Sequence, residues 1–557
     1  RGGFGVQTDI SINGGTFDQI TILLNGVNIS SPQTGHNAAD FPVSLSDIER
    51  IEVLEGASAR VFGSSAFNGA INIVTRPDRE SCVRLSAEGG SFGSFGGDFG
   101  VSLLTGSVSQ KLSGGYTQSD GGTKNSDFKR RRAYYTGSYT SRYADLVWQA
   151  GLSSQDYGAS TFYSAKFDNQ WEATRRIITS AQADIKPFGD ERFVITPQAY
   201  WHRDVDHYQL TRGKEGAKNG ENYHRTDVYG ASLNAHATWL LGKTAVGMDI
   251  RKEHILSTAY GDLLPENEWK DIHGTDRRYD HRGDRTNTSL FFEHNVILGG
   301  FTISAGVLAN RNTGLDGDFR FYPGVDLSYR PNEMWKFYAS WNKALRVPTY
   351  TDLYTSNSVQ QGDTGLRPER TSTFKAGTRF RTRGVEAVVS GFYSKGNDII
   401  DWVYETEESR KYHAMNIGKL DNMGYSVDAT LNMTELLPGS FVTRIKAGYA
   451  RIHQRHTTEQ PVYRSLYALE YLRHKATFQL DHRIWSRLSA SWAVRWQERM
   501  NHYEPYTKVD CKLQWTAPTY SLYVKADNIT NHRYYDLGGV HQPGLWIMAG
   551  GSVKIGL

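Results

Sequence analysis

Apolar and polar side chains alternate strictly along most of this 557-residue chain, from about residue 80 to its end. Within 488–496, apolar side chains occupy every second position, at Leu488, Ala490, Trp492, Val494 and Trp496. A period of two is typical of β-strands, whose successive side chains point to opposite faces. These apolar faces carry no charge, which suits either a surface in lipid or the dry core of a soluble β protein, and periodicity alone leaves both open.

The connections between these strands alternate between short and long. Tight turns marked by Gly or Pro lie near 186–191, 298–301 and 437–440, and polar loops such as 202–228 and 257–287 separate them. A membrane barrel predicts short turns on one rim and long loops on the other, whereas a propeller predicts a repeat of about 40–45 residues that the sequence lacks. Counting strands across the turns predicts an all-β fold, a closed antiparallel transmembrane barrel of about 22 strands, and barrels of this size are plugged.

Composition excludes two other classes of protein. The mean hydropathy is −0.54, and no run reaches the ~18 apolar residues that a membrane helix requires. The net charge is +4, without the basic domain that binding to nucleic acid usually requires. The two cysteines, Cys82 and Cys511, fall on strands that are not neighbours in the predicted barrel, so we expect no disulfide.

The first 75 residues depart from the barrel pattern. Residues 20–29 read as a hairpin, because Asn25 and Gly26 suit a type I′ turn. Residues 47–54 and 70–75 read as short strands around a Gly-punctuated segment. We therefore predict two domains: a small α+β plug over residues 1–78, lying in the lumen, and a barrel over residues 79–557.

Four segments resemble one protein family. They are 21–29 (TILLNGVNI), 48–75 (IERIEVLEGASARVFGSSAFNGAINIVT), 342–377 (NKALRVPTYTDLY…GLRPERTSTFKAG) and 524–536 (VKADNITNHRYYD). Together they are similar to the plug and barrel motifs of TonB-dependent outer-membrane receptors. The resemblance implies a barrel of 22 strands in the bacterial outer membrane, filled by the plug. It also implies active import powered through TonB, which grips a TonB box that this chain does not contain.

Two further segments resemble a narrower branch of the family. Residues 30–36 (SSPQTGH) and 536–546 (DLGGVHQPGLW) are similar to receptors from Bacteroidota-like bacteria. Many members of that branch resemble the cobalamin (vitamin B12) receptor. The resemblance implies cobalamin or another corrinoid as the ligand, and a surface lipoprotein lid over the long loops as a partner.

The same resemblance implies where substrate binds, because the matching plug loop of the cobalamin receptor touches its ligand. The residues carried over, at the plug apex and on the next plug loop, are Ser31, Pro32, Gln33, Thr34, Gly35, His36, Asn37, Ser64, Ser65 and Asn68. The apex loop is expected to face outward into the lumen. Its polar, largely uncharged side chains suit a neutral, amide-rimmed ligand held by hydrogen bonds and aromatic contacts. Packing between plug and barrel is the alternative role for these residues.

The sequence contains no catalytic or metal-binding motif that survives inspection. An acidic group in one long loop can supply oxygen ligands for calcium, at Asp271, Asp276, Asp280 and Asp284. The interleaved residues Arg277, Arg278, Arg282 and Arg285 favour a solvated network of salt bridges there instead.

Three other functions stay open on the sequence. A haem or siderophore receptor has the same fold, although no His lies between 343 and 412 to serve as a haem ligand near the matching loop. A passive porin or adhesin would keep the plug only as a structural stopper. A β-rich hydrolase would need convergent carboxylates in a cleft.

Overall fold

The computed structural model describes residues 3, 5–36, 40–55, 67–75, 80–164, 166–458, 460–500 and 503–557. Four short strands in the first 75 residues form the plug sheet: β1 (Thr21–Leu24), β2 (Val27–Asn28), β3 (Ile48–Leu54) and β4 (Ala70–Thr75). Their order in the sheet is β2-β1-β4-β3, and β1 and β4 run parallel. The described plug residues also contain two 3₁₀ turns, Phe17–Gln19 and Leu45–Asp47.

The rest of the chain forms a closed barrel, as the alternation predicts. The barrel strands, in chain order, are β5 (Cys82–Gly90), β6 (Ser94–Thr105), β7 (Val108–Ser119), β8 (Phe128–Thr140), β9 (Ala144–Ser160), β10 (Gln170–Ile185), β11 (Phe193–Gln209), β12 (Glu221–Trp239), β13 (Gly242–Ser257), β14 (His281–Leu298), β15 (Phe301–Asn312), β16 (Arg320–Tyr329), β17 (Trp335–Arg346), β18 (Glu369–Thr382), β19 (Val385–Asn397), β20 (Gly418–Asn432), β21 (Val442–Thr458), β22 (Leu472–Trp485), β23 (Leu488–Arg499), β24 (Tyr506–Thr516), β25 (Tyr520–Asp527) and β26 (Trp546–Gly556). Each pairs antiparallel with its sequence neighbours, and β26 closes on β5 from Met548–Gly90 to Gly556–Cys82. The predicted count of 22 strands is confirmed.

The two rims of the barrel differ as predicted. One carries short turns such as 106–107, 240–241 and 299–300, and the other carries loops such as 258–280 and 347–368. The loops contain short elements of their own: strands Asp262–Leu263, Lys270–Asp271, Arg278–Tyr279, Gln360–Gln361, Ile400–Tyr404, Tyr412–Asn416, Arg464–Ser465, Tyr535–Asp536 and Val540–His541, helix Tyr350–Tyr354, and 3₁₀ turns Ala217–Asn219, Glu266–Glu268 and Leu537–Gly539. On the short rim, the turn after β20 contains helix Met433–Leu436.

Large apolar side chains cover the outside of the barrel. Leu85, Phe99, Leu233 and Phe478 are about half exposed, and each lies on the face of its strand that points away from the lumen. An exterior of this kind would be unfavourable in water and suits contact with lipid. Among the described residues, no helix has the length and apolar character needed to cross a bilayer.

The plug lies inside the barrel. Its apolar core, which includes Ile22, Leu24 and Ile73, packs directly against the barrel residues Tyr134 and Val228. At the hairpin turn, Asn25 and Gly26 have φ of 52° and 80°, the left-handed pair that a type I′ turn requires. The predicted hairpin is therefore confirmed, while the predicted domain boundary at 78 and 79 lies outside the described residues.

Three of the four acidic residues considered for calcium, Asp271, Asp280 and Asp284, lie beside basic side chains. Asp271 lies 3.0 Å from Arg278 Nε, and Asp284 lies 3.2 Å from Arg282 Nε and 2.7 Å from His254 Nδ1. Asp280 lies 2.7 Å from His281 Nδ1. This arrangement favours the salt-bridge alternative, and calcium in these loops stays a prediction.

Both cysteines, Cys82 and Cys511, are free thiols.

Candidate functional site

The apex loop, residues 30–36, is held in place from below and from above. Below it, the Asp18 carboxylate accepts the Gly35 N–H at 2.6 Å. Above it, the backbone N–H groups of Tyr350 and Thr351 donate to the carbonyl oxygens of Pro32 and Gln33, each at 3.0 Å. These two N–H groups belong to the first turn of helix Tyr350–Tyr354, where backbone N–H groups have no partner within the helix. The apex is therefore bonded directly to a long loop of the barrel.

Three long loops fold together over the apex. Strands Gln360–Gln361, Tyr412–Asn416, Ile400–Tyr404 and Arg464–Ser465 form one four-stranded sheet, here called the loop sheet. Trp402 and Tyr467 of these loops pack on Phe17 of the plug. As a result, Gln33 is only 4% and His36 only 7% exposed. The apex loop faces the long loops of the barrel, and these loops cover it, so its Gln33 and His36 side chains are buried.

A cavity of about 70 Å³ lies between the apex loop, the barrel wall and the loop sheet, and is called the apex pocket here. The plug contributes Gln33, Thr34 and His36. The wall and the loops contribute mainly carboxylates and aromatic rings: Glu172, Asp206, Tyr208, His224, Tyr163, Tyr260, Trp402 and Tyr467. Among the described residues, no Lys or Arg lines the apex pocket.

Two buried carboxylates form one side of the apex pocket. Asp206 accepts the Gln33 side-chain N–H at 2.6 Å, and Glu172 accepts the hydroxyls of Tyr157 and Tyr163 at 2.6 and 2.7 Å. The two side chains are 7% and 3% exposed. Each carboxyl group has more lone pairs than these hydrogen bonds use. This side of the pocket can therefore accept hydrogen bonds from further donors or cationic groups.

Aromatic rings form the other side. The His36 ring stacks on Phe17 with centroids 3.9 Å apart, and Tyr163 and Tyr467 meet it edge-on. The His36 Nδ1 lies 3.0 Å from Asp9 Oδ1, which fixes the orientation of the ring. Tyr260, in loop 258–280, has its hydroxyl buried, and burial raises the pKa of Tyr260 to about 12. It therefore serves as a neutral hydrogen-bonding group at neutral pH.

A belt of buried ion pairs surrounds the plug below the apex pocket. The Arg251 Nε lies 2.9 Å from Glu253, which also contacts Arg285. The Arg251 Nη2 donates to the carbonyl oxygen of Ser30 at 2.6 Å, and so ties this belt to the plug. Both partners of each pair belong to the barrel wall, so it is the Arg251–Ser30 hydrogen bond that opposes movement of the plug.

A second cluster of the belt centres on Arg346. Its Nε lies 2.5 Å from Glu369 and its Nη1 lies 3.1 Å from Asp352. The plug residue Gln19 donates to the same Glu369 at 3.1 Å, and Asp18 lies 4.0 Å from Arg346. Burial, reinforced by the Asp352 charge, raises the pKa of Asp18 to about 6 although Arg346 opposes the shift.

The structure brings together some of the predicted site residues. Gln33, Thr34 and His36 line the apex pocket, while Ser31, Pro32 and Gly35 line a second cavity beneath it. Asn68 donates its side-chain N–H to Gln19 at 2.7 Å and belongs to the packing within the plug. Asn37, Ser64 and Ser65 lie outside the described residues. Contact between these residues and substrate stays a prediction.

Sequence reasoning missed the residues that the barrel wall contributes. Glu172, Arg176, Asp204, Asp206, Arg251 and Glu253 stand two or four residues apart within their strands, on the face that alternation assigns to the lumen. This spacing was the available signal. It could not show which of the inward charges meet across the barrel, because that depends on the register of distant strands.

Comparison with known proteins places the chain in a family. The family model for the TonB dependent receptor-like β-barrel matches residues 83–529, and the model for the TonB-dependent receptor plug domain matches residues 1–70. The chain belongs to the TonB-dependent receptors. The proteins of this family are receptors and transporters of the outer membrane, where the lipid-facing exterior places this chain as well.

Individual relatives of this receptor differ in their named ligands. The vitamin B12 transporter BtuB of Photobacterium profundum is 23% identical over 461 residues, covering 77% of this chain and 67% of that protein. The ferric enterobactin receptor PfeA of Pseudomonas aeruginosa matches 98% of this chain and 91% of its own, with 16% identity and a TM-score of 0.77. The FrpB iron transporter of Neisseria meningitidis matches with 16% identity and a TM-score of 0.79, covering 98% and 93%. The two solved structures support the fold.

Proposed function

We propose that this TonB-dependent receptor imports cobalamin or a related corrinoid across the outer membrane. The observation that carries the proposal is the chemistry of the apex pocket, where a plug amide and two carboxyl groups face aromatic rings and no Lys or Arg among the described residues lines the cavity. A corrinoid carries a rim of amides whose N–H groups match carboxylate acceptors, and a flat ring system that suits aromatic contacts. The likeness to a vitamin B12 transporter supports the same ligand.

A corrinoid is far larger than the closed apex pocket of about 70 Å³. Binding therefore requires the loop sheet to lift from the apex, so that the aromatic rings and carboxylates around Gln33 become the floor of a wider funnel. On the plug side, the contacts of Phe17 and His36 with Tyr467, the packing of Phe67 on Val403 and the bonds from helix Tyr350–Tyr354 must yield. A surface lipoprotein lid that closes over the long loops is part of this proposal.

Energy enters from the periplasmic side. TonB captures an extended segment by adding it as a strand to its own sheet, and a pull on that segment strains the plug. The contacts that join the plug to the belt oppose this force until the plug rearranges: Arg251 with the Ser30 carbonyl, Gln19 with Glu369, and Asp18 with Arg346. No covalent step is required of the receptor.

A ferric siderophore is the second candidate, because the fold matches receptors for such ligands. The apex pocket argues against anionic siderophores, since no Lys or Arg among the described residues lines it to pair with a negatively charged ligand. Haem has the weaker case, since His36 is paired with Asp9 and stacked on Phe17.

The test is calorimetric titration of the purified full-length receptor with cyanocobalamin, ferric enterobactin and haemin. We expect binding of cyanocobalamin alone, and uptake by cells that stops when TonB is deleted while surface binding persists. Binding of ferric enterobactin or haemin without cyanocobalamin would reverse the choice of ligand. Uptake that continues without TonB would indicate a passive channel.

A further inference from the structure

Three cavities between plug and barrel line up along one arc of the wall, from β10 to β15. The apex pocket is the uppermost, a cavity of about 80 Å³ lies beneath it, and a cavity of about 560 Å³ follows toward the rim of short turns. Strand β10 passes all three, because Glu172, Arg176 and Ser180 line the upper, middle and lower cavity in turn. These residues stand four apart on the inward face, so they descend along a single wall.

The lower cavity is lined mainly by neutral polar side chains. The barrel supplies hydroxyls and amides from β10 to β14, including Ser180, Gln198, Ser232, Asn234 and Ser289. On the plug side the cavity meets the hairpin at Asn25 and Asn28. Three charged side chains, Arg50, Lys111 and Asp249, also line the cavity, but neutral hydrogen-bond donors and acceptors predominate, which matches a neutral, amide-rimmed molecule.

At the middle cavity, side chains of the barrel and the plug block passage along the arc. Arg251, Glu253 and Arg285 line it from the barrel, and Ile22, Ile29 and Ser30 line it from the plug. The Arg251 guanidinium donates to the Ser30 carbonyl, and the Arg285 guanidinium donates to the Pro348 carbonyl at 2.7 Å. These bonds join the barrel wall, the plug and a long loop at one level, and they separate the apex pocket from the lower cavity.

The plug edge along the lower cavity is held by one small group of hydrogen bonds. The Asn25 side-chain nitrogen lies 2.9 Å from Gln149 Oε1 and 3.0 Å from the Tyr134 hydroxyl. Gly26 N–H donates to Asn72 at 2.9 Å. Displacing this hairpin widens a space that already exists.

We infer that substrate crosses the barrel between the plug and the arc β10–β15, passing the ionic closure at Arg251, Glu253 and Arg285 into the lower cavity. The inference rests on the proposed import function and specifies its route. The closure rejects or delays molecules until the plug moves, and the lower cavity carries neutral polar cargo to the periplasmic rim. Residues of the lower cavity thus govern transport and leave binding at the apex unchanged.

The test narrows the lower cavity without touching the apex pocket. Ser232→Trp and Asn234→Trp place a large ring in it, and Ser426→Trp places the same ring on the inward face of β20, away from the cavity. We expect uptake of labelled cyanocobalamin to fall about tenfold or more in the first two variants, equal to about 1.4 kcal/mol in the barrier. Binding of cyanocobalamin to the same cells should remain within about twofold, and Ser426→Trp should import like wild type.

A second design modifies the protein after folding, because Trp can disturb assembly. Ser232→Cys, in a background in which Cys82 and Cys511 are Ser, is reacted with thiol reagents of increasing size. Uptake should fall as the reagent grows, and Ser426→Cys should be insensitive. Equal uptake by all variants and adducts, or equal loss at positions 232 and 426, would overturn the route. If wild type imports cyanocobalamin in that experiment, only the route is wrong; if wild type neither binds nor imports it, the proposed function fails first.

Discussion

At the scale of single residues, polar side chains with defined partners fix the plug in the barrel. Gln33 joins the apex loop to Asp206 of the wall, and Asn25 joins the hairpin to Gln149 and Tyr134. All lie where water is scarce, so the loss of one partner leaves the other buried and unsatisfied, which costs more than the bond itself contributes. Single substitutions at these positions should therefore have measurable effects.

Gln33→Leu removes the donor that faces the Asp206 carboxylate. We expect it to destabilise the receptor by about 1–3 kcal/mol, because a buried acceptor is left without its partner. The measurement is the midpoint of thermal unfolding in detergent. Asp206→Leu serves as the matched single variant, and the double variant should lose less than the two single losses added together. Strict additivity would show that the two side chains do not depend on each other.

Asn25→Ala removes the hydrogen bonds of the hairpin turn and forces Ala into a left-handed conformation. We expect a loss of about 1–3 kcal/mol from both effects combined. Asn25→Gly separates them, because Gly keeps the positive φ without strain but lacks the side-chain bonds. Hydrogen exchange of the β1 and β4 amides is the measurement, and the Gly variant should fall between wild type and the Ala variant.

At the scale of elements, the loop sheet depends on one buried carboxylate. Asp401 of strand Ile400–Tyr404 accepts the backbone N–H groups of Trp402, Tyr467 and Ala468 at 2.8, 3.2 and 3.1 Å, and the hydroxyl of Ser465. Its side chain thereby joins two loops that are distant in sequence. Burial raises the pKa of Asp401 to about 7, although these donors oppose the shift.

This pKa predicts a pH dependence for the loop sheet. A carboxyl whose pKa is higher when folded than when unfolded stabilises the fold at low pH, and that stabilisation is lost as pH rises from about 4 to about 7. The loop sheet should therefore open more readily at pH 8 than at pH 5. The measurement is hydrogen exchange of the 400–416 amides, corrected for the intrinsic rate at each pH.

Asp401→Asn is the control for that experiment, because the amide oxygen still accepts hydrogen bonds but cannot ionise. The variant should show the same protection at both pH values. A pH dependence that persists unchanged in Asp401→Asn would assign it to another group, such as Asp18, whose pKa is raised to about 6 at the plug apex.

At the scale of the whole molecule, the barrel separates two environments across the thickness of one strand. Phe478 of β22 points outward and is 44% exposed, whereas the next residue, Gln479, bonds to Asp481 on the lumen side. The same alternation governs the other barrel strands. The outside is thus fitted to hydrocarbon and the inside to a polar plug and a polar cargo.

Phe478→Arg places a charge on the lipid-facing surface. We expect it to destabilise the protein folded in lipid vesicles, lowering its free energy of unfolding by about 2–4 kcal/mol if the position lies near the bilayer midplane. Gln479→Arg adds the same side chain to the lumen face, beside Asp481, and should change the free energy little. Equal effects at the two positions would contradict the assigned orientation of β22.

Much of the fold follows from local pattern. Alternation and turn spacing predict the strands, their number and the difference between the rims, because each depends on residues close together in the chain. The hairpin at Asn25 and Gly26 follows from turn chemistry alone. The loop sheet was not predicted, since its strands come from loops separated by long stretches of sequence and pair only after the barrel has closed.

The residues of the candidate site, like the elements of the fold, could be predicted from the sequence only in part. Motif resemblance could select Gln33 and His36 on the plug, because they lie in one continuous loop. The residues opposite them, Glu172 and Asp206, stand on separate strands and carry no motif of their own. Their inward direction is readable from alternation, but their meeting with Gln33 depends on the register of the barrel and on the position of the plug.

The sequence by itself therefore determined that this chain forms a plugged barrel in lipid, since periodicity and turn chemistry act over a few residues. Only the tertiary structure decided that loops bury the apex, that a hydrogen bond ties Arg251 to the Ser30 carbonyl, and that cavities follow one arc of the wall. Those features arise from contacts between residues hundreds of positions apart, and closure of the barrel is what brings them within bonding distance.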